Sequence, residues 1–472
     1  MDKDTSDFTS IEQGIFNILK AELRRGKTLQ EAREEMKQIL SEAERRGTEA
    51  AIRDLVFKEV MGCPTKIACG CGQSFLVLSG RWRKRELDLS CGTILFHRPY
   101  YAPLGSCGCP GRHPVDEKLG LSRGPLSEDI VKSLCLLAVM VPFERSTDLM
   151  QRLLGLEVSK KRAVTVVGKV ARSAYEQQTE RALRRWEARE EMVATRPPSG
   201  RRRGRLFVIP DGTNVGIQKS EEFRECKSAI LFWEHDLKPR RYKKGRRRQP
   251  QQITKKLIVS HVGSHEEFLP YLWDAFVEMG GLTASEVIWI ADGIDWVWND
   301  SLRMLPPEHF DVIELLDWYH LFQNLWKAAR VMTEDAAEQQ RWVTQIKRQM
   351  RKRNTGRDLA LELAELAERE PDPDKHKILE NVYEYVDGHK NRMRYADFRS
   401  FNWPRGSAAI ESVQHSVIQA RFKLPGMRWT VEGVNRMLRL RNAYFSNRWD
   451  EVFEQAFMPF RHVTPQSMDN VA

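Results

Sequence analysis

The 472-residue chain lacks the signals that would send it out of the cell or into a membrane. Its first ten residues, MDKDTSDFTS, hold neither the cationic stretch nor the apolar run of a secretion signal. Its longest nearly apolar stretch, LCLLAVMVPF, is too short to cross a bilayer. A soluble, cytoplasmic protein without a membrane partner is therefore expected. Internal repeats are missing too, so the chain divides into blocks of differing character. Cysteine is scarce and lopsided: six of the eight lie between Cys63 and Cys109. In a chain with no secretion signal, that clustering argues against a disulfide framework and for thiolate ligands.

What the chain does have is charge. Of its residues 41% are hydrophobic and 30% charged, with mean hydropathy −0.53, which fits a globular protein of about two to four domains. The net charge is +11 and the pI near 9.2, the sign expected of a protein that meets polyanions, nucleic acid first among them.

Residues 1–60 read as a charged helical arm, in which Thr28 and Glu31 form a capping box. Residues 61–120 read as a Cys-rich β module with two close pairs, Cys69/Cys71 and Cys107/Cys109, and with Cys63 and Cys91 nearby. Zinc held by the paired thiolates would staple a module too small for a good core. The single residue between paired cysteines is shorter than the usual zinc-ribbon spacing, and the other reading is a reduced β domain whose thiols act as small hydrophobes.

Residues 121–195 are helical. A helix from Glu144 to Leu154 stops at Gly155, and Ser159 caps the next one, which begins Lys160, Lys161, Arg162. This is a helix-turn-helix pattern with a basic second helix suited to a DNA groove, although helical hairpins that bind nothing share it. Residues 196–204 form a basic linker. Residues 205–330 alternate strands and helices, 331–400 are helical and strongly charged, 401–460 close the fold with helices, and 461–472 form a tail. Within the alternating block, KPRRYKKGRRRQPQQ carries Lys238, Arg240, Arg241, Lys243, Lys244, Arg246, Arg247 and Arg248 with no acid. Such a hairpin tip repels itself until phosphates neutralise it.

Twice a Val/Ile-rich run ends in Asp-Gly: RLFVIPDG brings Asp211 and VIWIADG brings Asp292. A turn would explain either one alone. Two carboxylates at the ends of strands can instead meet at one edge of a sheet, where open α/β sheets keep their sites. A third acid, Glu411, lies in the first turn of a helix over 407–423 that Ser407 is expected to cap and whose apolar face is Ile410, Val413 and Val417. Strands expected at 205–215, 227–233, 255–263, 287–291 and 312–316, with acids on the first strand, the fourth strand and a late helix, are the arrangement of an RNase H-like fold. Three converging carboxylates repel unless cations neutralise them, and hard oxygen ligands suit Mg²⁺ or Mn²⁺. Two such ions roughly 3.5 to 4 Å apart can serve phosphodiester displacement.

Four segments in this order, PDGTNV, WIADGIDWVWN, LLDWYHLFQNLWKAAR and GSAAIESVQHSVIQARFKLPGMRW, resemble the DDE transposases of bacterial insertion sequences, nearest to the ISKra class of the Mutator-like superfamily. The resemblance spans about residues 205–450. It implies a multidomain α/β protein: an RNase H-like core interrupted by a helical insertion and preceded by a helical arm, a Cys-rich module and a helix-turn-helix region. It implies Asp211, Asp292 and Glu411 as the catalytic triad and the ligands of two Mg²⁺ or Mn²⁺ ions. Asp317 and His320 match the family's DxxH signature, the first as a support for the site, the second either positioning a nucleotide or bonding within the core. Arg421 and Lys423, on the helix of Glu411, are expected to face phosphates, and Trp429 to brace the closing helices.

The activity so implied is binding of terminal inverted repeats, strand cleavage and strand transfer into target DNA, by a homo-oligomer on DNA at the nucleoid. Structural zinc at Cys69, Cys71, Cys107 and Cys109 belongs to the same expectation, though the spacing departs from the pattern. A non-catalytic regulator descended from a transposase, or an RNase H-fold nuclease without strand transfer, would share many of these features.

Overall fold

The computed structural model describes residues 9–61, 64–69, 71, 74–80, 82–104, 109–202, 204–218, 223–239 and 251–461. Among them, those up to Val167 and those from Phe457 onward form one compact unit, and those in Gly168–Ala456 form another. No described helix is long and apolar enough to cross a membrane.

The first unit opens with α1 (Ser10–Arg24) and α2 (Leu29–Met61). The expected capping box is present: Thr28 N–H donates to Glu31 Oε2 at 2.7 Å and Glu31 N–H to Thr28 Oγ1 at 3.3 Å. Five short strands follow, β1 (Lys66–Ala68), β2 (Phe75–Leu78), β3 (Arg83–Leu89), β4 (Gly92–Arg98) and β5 (Tyr101–Leu104). They form a three-stranded sheet of order β1-β2-β5 and a β3-β4 hairpin. The hairpin buries Leu87, Ile94 and Phe96 against Ile52 and Val56 of α2. Among the described residues of the small sheet, Cys69, Leu76 and Tyr101 form a buried cluster against which Ile67, Leu78 and Cys109 pack. Helices α3 (Pro114–Lys118), α4 (Glu128–Met140) and α5 (Phe143–Leu154) come next. Gly155 ends α5 at φ 69°, a left-handed position glycine adopts without strain, and Ser159 Oγ accepts from Arg162 N–H at 3.3 Å to start α6 (Lys160–Glu187). The expected junction is there, but no proline interrupts α6, which runs for 28 residues instead of one short helix.

The second unit continues through α7 (Arg189–Ala194), β6 (Arg205–Gly216), β7 (Phe223–Trp233), β8 (Leu237–Pro239), β9 (Gln251–Ile253), β10 (Leu257–Val262), α8 (His265–Glu278), β11 (Glu286–Ala291), α9 (Asp295–Met304), β12 (Val312–Leu316) and α10 (Trp318–Met332). Its five-stranded mixed sheet has the order β10-β7-β6-β11-β12. The β6/β7 and β7/β10 pairs are antiparallel, and β6/β11 and β11/β12 are parallel. Leu206, Phe207, Val208 and Ile209 of the central strand are all fully buried, which is why this run reads as continuously apolar instead of alternating.

Helices α11 (Ala336–Met350), α12 (Gly356–Arg369), α13 (Pro373–His389) and α14 (Tyr395–Ser400) occupy the stretch expected to be helical. The chain closes with α15 (Ala408–Val413), a π-helical segment Gln414–Gln419, α16 (Ala420–Phe422), α17 (Val431–Phe445) and α18 (Trp449–Phe457). Helix α17 covers the free edge of β10 with side chains. Asn435 Oδ1 accepts from Val262 N–H at 2.7 Å, its Nδ2 donates to Val262 O at 3.0 Å, and Ser446 Oγ accepts from Ile258 N–H at 2.9 Å. An edge so occupied cannot recruit another strand.

Candidate active site

The first Asp-Gly is not a turn. Strand β6 runs straight through it to Gly216, with Asp211 opposite Ser228 and Gly212 opposite Lys227 on β7. What ends nearby is the parallel partner. Val208 pairs with Trp289, the last pair of β6 and β11, and the same register carried three residues further sets Asp211 beside Asp292. Ala291 pairs with Leu316, so the next step sets Asp292 beside Asp317, whose N–H donates to Ala291 O at 2.7 Å. Three adjacent strands thus bring three aspartates into one row at one end of the sheet. Gly212 serves no turn, whereas Gly293 lies in the bend between β11 and α9. A Cβ at Gly212 would collide with the Glu225 carboxylate, and one at Gly293 with the Tyr385 ring of α13. At Gly293 the ring leaves no room for a side chain, whereas at Gly212 the obstacle is the movable end of Glu225.

Asp317 is fully buried and is spent on structure. Its Oδ1 accepts from Tyr319 N–H at 2.6 Å and His320 N–H at 2.9 Å, capping α10, and its Oδ2 accepts from Ser407 N–H. Ser407 makes no side-chain cap bond to its own helix, contrary to expectation. Its hydroxyl donates instead to Glu411 Oε1 at 3.0 Å. A chain of bonds therefore runs from the row of aspartates through Ser407 to the exposed Glu411. Beyond it, the helix widens into the π segment, whose carbonyls are held by the buried Arg441: Nε to Val417 O at 2.6 Å and Nη2 to Ser416 O at 2.5 Å. π turns occur often beside functional residues because they re-aim side chains.

Electrostatics ties the acids together. Burial, then the Asp292 and Glu411 charges, push the Asp211 carboxyl up to about 7, against the Gly212 N–H (2.7 Å to Oδ1) and His320, which pull it down. Asp292 is raised as well, by burial first and then by Asp317 and Glu225, while the Ile294 N–H and His320 oppose this. His320 thus lies close enough to both aspartates to favour their ionised forms. The acids do not close as tightly as the thiols described below, which among the described residues alone bring three ligand atoms within 4.8 Å of one another. Like charges keep such a distance unless cations lie between them. No protein-family model matches the chain, and no curated protein matches it. Chemical meaning has to come from the site itself.

The basic residues divide. Lys423 is exposed, and its Nζ donates to Thr213 Oγ1 at 2.9 Å, two residues along β6 from Asp211. Arg421 is fully buried, its guanidinium 4.8 Å from the Trp429 ring centre, and it cannot reach a phosphate backbone without unpacking the core. Trp429 also packs edge-on against Phe422, the bracing role expected of it. In the first unit Lys160 and Lys161 are exposed, whereas Arg162 pairs with Asp88 at 2.9 Å. Arg240, Arg241, Lys243, Lys244, Arg246, Arg247 and Arg248 lie outside the described residues; Lys238 sits on β8, which pairs with β9.

The thiols of Cys69, Cys71 and Cys109 form the one group among the described residues with the spacing of a metal site. None of the described cysteines is in a disulfide, and Cys107 lies outside the described residues. Three soft ligands beside a three-residue core fit a structural metal that supplements weak packing.

Proposed function

We propose that the chain is a DDE transposase of the bacterial insertion-sequence type, built on an RNase H-like core. It binds the terminal inverted repeats of its element, cleaves a DNA strand and joins the exposed 3′-OH to target DNA. The observation that carries this reading is the row Asp211, Asp292, Asp317 with Glu411 bonded to it through Ser407. The mixed sheet of order β10-β7-β6-β11-β12, followed by a helical insertion and closing helices, supports it.

Asp211, Asp292 and Glu411 would hold Mg²⁺ or Mn²⁺. The donor set suits a hard cation, since all three ligands are carboxylates, and Asp211 holds a proton up to about pH 7 that a cation would replace. When bound, the ions supply activation of the attacking oxygen and stabilisation of the leaving one. The chain's own groups do the rest. Asp317 fixes the Ser407 backbone, Ser407 orients Glu411, and His320 favours ionised aspartates. Tyr385 packs over Gly293 close to Asp292 and Asp317. Lys423 is oriented by Thr213 to neutralise a phosphate on the strand being cut. Cys69, Cys71 and Cys109 would hold structural zinc in the first unit, and paired cutting of two ends calls for a homo-oligomer on DNA.

The test is cleavage and joining of labelled DNA carrying the element's ends with Mg²⁺ or Mn²⁺. Wild type should nick and join, and Asp211→Ala, Asp292→Ala and Glu411→Ala should bind without doing either. Nicking without joining would favour a nuclease, and metal-independent binding without cleavage a regulator.

A further inference from the structure

A cleft of about 680 Å³ in the second unit borders the helix that carries Glu411. Its walls present Lys256, Lys347, Arg351 and Arg405 and, among the described residues, no Asp or Glu. Aromatic rings pack against three of these cations. Arg405 and Arg351 lie 5.1 and 5.7 Å from the Trp318 ring centre, and Lys347 lies 4.9 Å from that of Phe322. Lys256 has no hydrogen-bond or ion partner among the described residues, and burial pulls its pKa down. Elsewhere in the same unit cations are matched, as Arg181 and Arg185 are by Asp274 and Arg392 is by Glu314. Four positive charges gathered in a lining without a described Asp or Glu raise one another's cost until an anion enters. At the rim Tyr319 is 60% exposed, so its ring is open to solvent.

The cleft connects with the acids. Its lining includes Gly406, where a Cβ would come within 2.8 Å of Asp317 Oδ2 and 3.0 Å of the Tyr319 ring. The next residue, Ser407, holds Glu411, and Ala408, Ala409 and Ser412 of the same helix form one wall.

We propose that this cleft seats a DNA strand, with its phosphodiester backbone across Lys256, Lys347, Arg351 and Arg405 and a base stacked on Tyr319. Planar guanidiniums and a ring with a free face are what sequence-tolerant strand binding uses, the cations for phosphates and the ring for any base. That the strand is the one cut beside Glu411 rests on the proposed function; that the cleft binds DNA does not.

The experiment photocrosslinks the full-length protein, without divalent metal, to an oligodeoxynucleotide carrying 5-iododeoxyuridine and maps the modified peptide by mass spectrometry. Wild type and Asp211→Asn should both crosslink at Tyr319. The double substitution Lys347→Gln/Arg351→Gln, and separately Lys256→Gln, with circular dichroism unchanged, should lower that crosslink by about tenfold or more and about threefold respectively. Crosslinks only at other peptides, or a Tyr319 crosslink unaltered in both variants, overturn the proposal. Wild type that cleaves DNA without a Tyr319 crosslink would sink the cleft alone. A Tyr319 crosslink in a protein that never cleaves would sink the transposase reading and leave the cleft standing.

Discussion

Asp274 and Asp211 lie in the same unit, one on the helix that packs on the sheet and the other on the sheet's central strand, and they are treated in opposite ways. Asp274 is 1% exposed and bonded on both oxygens, to Arg181 at 2.7 Å and to Arg185 at 2.6 Å. Asp211 is half-buried, is not paired with any described cation, and has two other carboxylates for neighbours that help push it up to about 7. A buried acid that serves structure is matched by the chain, Asp274 with two arginines and Asp317 with three backbone N–H groups. An acid left without counter-charges, in company, is stabilised only by something from outside, and strongly perturbed carboxylates in a group mark functional sites more often than structural ones.

Substitution of the acids should have the largest effects. Asp211→Ala, Asp292→Ala or Glu411→Ala should lower DNA cleavage by about a thousandfold or more, ~4 kcal/mol in the barrier, with Tm unchanged or higher. A fall in Tm like that of a structural variant would place Asp211 with Asp274. Asp274→Ala should cost about 3 kcal/mol of stability in urea denaturation, because it strands the part-buried Arg185 and leaves Arg181 with Glu278 alone. Asp211→Asn should cost nothing there.

Folded Asp211 keeps a proton that the unfolded chain releases from about pH 4, so the folded state binds more protons between about pH 4 and about pH 7. Stability of the metal-free protein should therefore fall as pH rises through that window, and Asp211→Asn should flatten the slope. An identical slope in both proteins would remove the basis for the contrast.

Smaller effects test how Glu411 is aimed. Ser407→Ala deletes one hydrogen bond and should slow cleavage by about tenfold while DNA affinity holds, equal to ~1.4 kcal/mol. Smallest of all, Lys423→Ala should weaken DNA binding by about two- to threefold and lower its salt dependence, as expected for one exposed phosphate contact. Arg421→Ala should instead lower Tm, since that side chain is interior.

Much of this was legible in the residues. The five strands fall within a few positions of where apolar runs and turn residues put them, because a central sheet buried on both faces leaves an unbroken hydrophobic record. The Thr28–Glu31 cap and the Gly155–Ser159 junction were legible because capping chemistry is local. What depended on distant chain was not. Asp211-Gly212 has the composition of a turn, and only its pairing with Ser228 and Lys227 of the facing strand makes it part of β6. Tyr385, some ninety residues on from Gly293, leaves no trace near it. Ser407 has the residue type of a cap yet is recruited by Glu411, and Arg421 follows the helix of Glu411 but falls on its interior side, where the π segment shifts the spacing. One-residue cysteine spacing departs from the usual zinc pattern, but Cys109, brought from a distant segment, completes a group of three.

The central claim is that Asp211, Asp292 and Glu411 form a site left open for divalent cations. Electron paramagnetic resonance of Mn²⁺ titrated into the full-length protein tests it directly. Wild type should take up Mn²⁺, and Asp211→Asn and Glu411→Gln should each lose most of that uptake at the same protein concentration. Equal Mn²⁺ binding by all three proteins would contradict the account and leave the row of aspartates without its purpose.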